Sequence, residues 1–185
     1  TRGPGPGGPP VEHAARVPDG TVRPLDAPSP DPMGLLPPGV TGVPRTIWAG
    51  SDEDMLVALL RAERIDTLPA IQRLLSTLLL AEADPPAGAG SEGALFLARI
   101  DRLLDMGALD PAQALLEAAD PDTPELFRRW FDVSLLTGTE ADACTVMQDR
   151  PAVAPTASAR VFCLARSGDW SAAALTLNTA RVLGD

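Results

Sequence analysis

From Ser51 onward, apolar residues return at three- and four-residue spacing, and each run opens on a polar cap and closes on Gly or Pro, as successive amphipathic helices do. The first helix starts at Ser51, with Asp52, Glu53 and Asp54 in its first turn, where carboxylates accept from free N–H groups and favour the helix dipole. Its predicted inward stripe is Met55, Leu56, Leu59 and Leu60. A second helix spans about residues 68–82 with Leu74, Leu75, Leu78 and Leu79 inward, until Pro85-Pro86 removes donors and restricts the backbone before it. The third lies between Ser91 and Gly107, a left-handed C-terminal cap. Asp110-Pro111 opens the fourth, and Asp122-Thr123-Pro124-Glu125 opens the fifth, each placing Pro where a missing N–H costs nothing. Gly138 closes the fifth. A shorter sixth helix, 139–148, halts before Pro151, and 158–166 and 169–183 form the seventh and eighth with Gly168 between them. No segment alternates with strand period, so the predicted fold is all-α.

The chain before this region has a different grammar. Residues 1–46 hold more than half of the 20 prolines and half of the 16 glycines, with apolar residues at no regular period. Such a segment cannot repay its ordering entropy, and residues 1–32 are expected to be disordered or polyproline-like. The stretch from Met33 to Val40, with Val43, Ile47 and Trp48, is more apolar and is expected to lie extended along the first helices. The division is therefore a Pro/Gly-rich tail, 1–46, and a helical-repeat domain, 47–185.

Within that domain a register recurs. Gly107, Gly138 and Gly168 stand 31 and 30 residues apart, with Ala112, Ala143 and Ala173 five places on and Leu116, Met147 and Leu177 four further. Small residues let antiparallel helices approach while the bulky one fills the groove. The last unit, Gly168, Trp170, Ala173, Leu177 and Ala180, resembles the tetratricopeptide-repeat pattern, and the resemblance covers about residues 92–185. It implies stacked antiparallel helix hairpins in a solenoid, protein or peptide binding on a concave face, and no chemistry. The layout of a Pro-rich leader before Ala/Leu-rich hairpins also resembles a group of uncharacterised bacterial exported proteins sometimes labelled antifreeze glycopeptide polyproteins. Thr here is sparse and mostly at helix caps, unlike the regular arrays of an ice-binding surface.

Charge narrows the partners. The net charge is −10 and all 15 basic residues are Arg, of which only Arg128 and Arg129 are adjacent, so the clustered cations that grip phosphate backbones are missing and nucleic acid is not an expected partner. The most apolar run, 71–81, is interrupted by Gln72 and Arg73, so no membrane-spanning helix is expected. The Arg128-Arg129 pair is expected to be solvated.

Catalytic chemistry finds few candidates. His13, the sole histidine, falls in the tail, which leaves Ser134, Ser167, Cys144 and Cys163 without an imidazole base. The matches to G-x-G-x-x-G at Gly3, Gly5, Gly8 and at Gly88, Gly90, Gly93 follow no strand, and a phosphate loop of the Walker type needs the lysine this chain lacks. Asp101 and Asp105 share a helix face but read as its solvated side near Arg102. No cluster has metal-ligand spacing, and Phe127, Trp130 and Phe131 read as core. The expected catalytic, cofactor and metal site residues are thus none. Cys144 and Cys163, on consecutive helices, are either a disulfide of an oxidising compartment or two buried thiols of a reducing one; a periplasmic or exported protein and a cytoplasmic one both remain open.

The expected function is a protein-interaction or scaffold module. The alternatives are an accessory helical region of a larger enzyme, such as a cell-wall lytic transglycosylase, and a small-molecule-binding helical domain. The eighth helix carries Leu175, Leu177, Val182 and Leu183 around more than one face, so either further hairpins or self-association through it is expected.

Overall fold

The computed structural model of the protein describes residues 29–90 and 92–184. Expectations for residues 1–28, His13 and the first glycine motif among them, lie outside the described residues. The described residues are all-α: α1 (Pro38–Thr41), α2 (Glu53–Ala62), α3 (Pro69–Leu80), α4 (Ala94–Asp105), α5 (Leu109–Ala118), α6 (Pro124–Thr137), α7 (Glu140–Asp149), a 3-10 turn (Pro151–Val153), α8 (Ala157–Arg166) and α9 (Trp170–Leu183). Both α2 and α3 pack on α4, and from α4 to α9 each helix packs on the next.

Local chemistry explains the boundaries. The Thr123 hydroxyl accepts from Leu126 N and Pro124 occupies the first position of α6, while left-handed Gly138 ends it. Thr156 and Asp169 cap α8 and α9 in the same way, accepting from Ala159 N and Ala172 N. α5 begins one residue before the expected Asp110-Pro111 cap, at Leu109, because the first turn of a helix tolerates Pro wherever its N–H would be free.

The core lies where α4, α5 and α6 meet, with Phe96, Leu95, Ile100, Leu103, Leu115, Leu116 and Phe127 shielded from solvent. The register alanines Ala112, Ala143 and Ala173 are all buried. The expected inward stripe of α2 is turned, and that of α3 holds at Leu75, Leu78 and Leu79 but loses Leu74. In α2 the buried residues are Leu56, Val57 and Leu60, with Met55 and Leu59 exposed; in α3 Leu79 is buried and Leu74 exposed. These helices sit over one neighbour, α4, so a single narrow edge of each is covered, whereas the periodicity marks a wider apolar face.

The segment before α2 is built into the fold earlier than its composition suggests. Asp31 is buried, so ordered packing starts ahead of residue 33. Leu35 N and Leu36 N donate to Leu80 O, and Glu82 N donates to Leu36 O, forming a single parallel bridge beside the end of α3. Gly34 permits this approach, since a Cβ there would stand 2.5 Å from the Ala81 carbonyl carbon. The expected extended run then turns into α1, where Pro38 supplies a helical φ and left-handed Gly42 ends the turn.

Candidate functional site

A groove of about 410 Å³ with both apolar and charged residues lies between α6 and α8. Its floor is Phe131 and Ala159, both buried, and its rim carries Leu135 and Phe162, which are 42% and 39% exposed. Phe131 is fixed by stacking on Phe127, with ring centroids 6.3 Å apart, and meets the Phe162 ring edge-on at 6.1 Å. Phe162 and Leu135 thus keep apolar surface half in water above a buried aromatic floor. Arg128 and Asp132, one turn apart on α6, stand at the edge. Arg128 is exposed and forms no ion pair among the described residues.

The wall formed by α8 is tied from behind. Cys144 of α7 and Cys163 of α8 are joined in a disulfide with Cα atoms 5.2 Å apart, next to Phe162 in the chain. No thiol is left for nucleophilic chemistry. The Ser134 hydroxyl is buried and donates to Trp130 O at 2.7 Å, and Ser167 donates to Leu164 O, so each is satisfied by its own helix. Among the described residues no group of three or more His, Cys, Asp or Glu side chains is placed to hold a metal ion. Gly88, Gly90 and Gly93 lie in the turn between α3 and α4 and follow no strand.

The charged residues divide differently from the expectation. Arg128 is solvated, but Arg129 reaches back across the helix boundary: its Nε donates to Asp101 Oδ1 at 2.6 Å, its Nη2 to Asp101 Oδ2 at 3.1 Å, and its Nη1 to Glu125. Hydrogen bonding to Asp101, with the charge of both carboxylates, holds its pKa above the ordinary arginine value. Asp101 is therefore an inter-helix strut between α4 and α6 and no open carboxylate. Asp105 pairs with Arg102 at 3.3 Å. Asp101 and Asp105 are thus each engaged by an arginine.

Arg99, which the sequence reading passed over, and Arg102, which it set beside a solvated face and the structure buries, organise the front of the molecule. Arg99 is buried, and its guanidinium donates to Leu79 O at 2.8 Å, Ala81 O at 2.9 Å, Met33 O at 2.8 Å and Asp31 O at 3.1 Å. Arg102, one turn on, donates to Leu60 O and Arg61 O. Thus α4 sends one cation to the carbonyl end of α3 and another to that of α2, where unsatisfied acceptors and the helix dipole favour positive charge. Burial lowers the Arg99 pKa to about 10, with Asp31 opposing the shift. Asp31 in turn accepts from Phe96 N at 2.7 Å, a cap for α4 supplied from outside the helix, since its own N-cap residue is Gly93. The available signal was an arginine in line with Phe96 and Leu103 on an apolar face.

A larger depression of about 560 Å³ runs along α3 beside Leu36 and Met106, but its hydroxyls are spent locally: Ser76 and Thr77 donate to the carbonyls of Gln72 and Arg73. No helix among the described residues is long and apolar enough to cross a membrane. Comparison with protein-family models, curated proteins and solved structures finds no match.

Proposed function

We propose that this chain is a non-enzymatic protein-interaction or scaffold module whose helical hairpins, tetratricopeptide-like in their spacing, hold a short peptide segment of a partner protein in the α6/α8 groove. The observation that carries the reading is the groove itself: a rigid aromatic floor, two half-exposed apolar anchors and an unpaired arginine at the edge. The fitting segment has an apolar side chain to seat against Phe162 and Leu135 and a carboxylate to meet Arg128. A periplasmic or exported setting belongs to the same proposal, because a disulfide persists in an oxidising compartment.

The test is capture of partners by the full oxidised chain, compared with the Phe162→Ala and Arg128→Glu variants. A partner whose retention falls about tenfold or more with either substitution, a hot-spot effect of the usual size, supports the reading. Equal retention by the groove variants, or hydrolysis of a cell-wall polymer by the purified chain, contradicts it.

A further inference from the structure

Residues 29–36 lie on the helical body as an extended ligand lies on a receptor. The Asp31 carboxylate accepts from Phe96 N at 2.7 Å, in the first turn of α4, and the Ser29 hydroxyl donates to its other oxygen at 2.9 Å. Pro30 rests against Gly93, where a Cβ would collide with the proline ring. Arg99 donates to the Asp31 and Met33 carbonyls, Gly34 meets the backbone of Ala81 and Glu82, and Leu36 hydrogen-bonds to Leu80 and Glu82. Met33, Leu35 and Leu36 are only partly buried, so main-chain bonds and one carboxylate hold the segment more than apolar burial does, the mode of strand addition. The receiving wall has its own support. Arg99 is also fixed by Leu79 O and Ala81 O at the end of α3, which packs on α4. Beyond the segment come exposed Pro37 and α1, which buries no residue, and the chain is next hydrogen-bonded to the body at Arg45.

We propose that this is a peptide-binding site closed in cis: it recognises an extended segment carrying Asp-x-x-Gly, and residues 29–36 are the ligand that the chain itself supplies, displaced by a matching segment of a partner protein. The two selected positions follow from the contacts. Without an acceptor at position 31 the Phe96 N–H is left unpaired, and an acid there also suits the positive end of the α4 dipole. Any side chain at position 34 meets backbone, which cannot step aside as a flexible side chain would. Pro32 and Met33, between them, stay partly exposed and are read less strictly. A short tether keeps its ligand at an effective concentration of roughly millimolar. A partner's segment therefore enters only when its affinity or local abundance exceeds that threshold, and the clasp acts as an autoinhibitory contact.

The site shares no residue with the α6/α8 groove, so the two readings fail independently. The probe is a synthetic fluorescent peptide with the sequence of residues 29–37, titrated into the full chain and followed by anisotropy. Gly34→Ala and Asp31→Ala in the full chain each loosen the clasp and leave the receiving wall unaltered. Both variants should bind the peptide about tenfold or more tightly than the unaltered chain, whose site is already filled. A peptide carrying either substitution should bind the same variants about tenfold or more weakly. Exchange of the Phe96 and Glu82 amides reports the loosening, and circular dichroism reports the helices. Equal affinity for variant and unaltered chains, or indifference to the peptide's Asp and Gly, would overturn the proposal. Loss of the helical signal in both variants would do the same, by making residues 29–36 an inseparable part of the fold. So would unchanged protection of both amides, since Asp31 and Gly34 would then select nothing.

Discussion

The two ends of this molecule are held by opposite means. At the front, α2, α3 and the segment from residue 29 to 37 converge on two arginines of α4, whose donors reach six backbone carbonyls contributed by three parts of the chain. At the back, α7 to α9 have few large buried side chains; Ala143, Ala159, Ala173 and Ala180 let the helices approach, and one covalent bond ties α7 to α8. The front spends polar groups to seal its interior, while the back leaves Leu175, Val182 and Phe162 in water or half in it. The buried polar network fixes the interior of the front but not its surface, where Met55, Leu59, Leu68 and Leu74 stay in water. The small-residue stack of the back has few large side chains to bury and is tied by one covalent staple.

The contrast is broken most severely at Arg99. Arg99→Met should destabilise the chain by about 3–5 kcal/mol in denaturant titrations, because four carbonyls and the Asp31 carboxylate lose a buried cation. A loss under about 1 kcal/mol would show that the knot is incidental. The back is broken next: Cys144→Ser with Cys163→Ser should cost about 3 kcal/mol by releasing a 19-residue closure. Urea unfolding of the oxidised and variant chains measures it. If the contrast holds, this variant keeps the front folded longer than the back, so its transition broadens.

A smaller change sharpens the account of the front. Gly34→Ala places a Cβ against the backbone of Ala81 and Glu82, which are no flexible side-chain ends, and should cost about 1–3 kcal/mol through displacement of the docked segment. Thermal melting of that variant beside Gly42→Ala, where the added Cβ meets open space and only the left-handed φ is strained, separates crowding from backbone strain. The smallest expected effect is at the strut between α4 and α6. Arg129→Gln should lose about 1 kcal/mol or less, with the loss shrinking in high salt, because the pair is only partly shielded.

Much of the helical order was legible in the residues that begin and end each helix. Thr123-Pro124, Gly138 and Gly168 act through their own backbone and need no knowledge of the rest of the fold. What escaped was set by neighbours distant in sequence. Met55, Leu59 and Leu74 are as apolar as Leu60, and only the single contact surface offered by α4 decides which of them is covered. Arg99 is one of 15 arginines, and nothing local says that it meets carbonyls 18 to 68 residues away. Asp31 sits between two prolines and has the composition of a tail, yet its carboxylate completes α4. The groove was half legible. Phe131 was read as core and is core, but Phe162 and Leu135 line one groove only because the fold brings α8 beside α6.

The central claim, that a buried arginine knot holds the front and a disulfide holds the back, is tested most directly by native-state hydrogen exchange with and without reductant. Amides of α4, such as Phe96 and Ile100, should keep their protection on reduction. Those of α7 and α8 should lose it by a factor of about a hundred, the equivalent of ~3 kcal/mol of loop closure. An equal loss of protection in α4 and α8, or none in either, would contradict the division and make the molecule one cooperative unit.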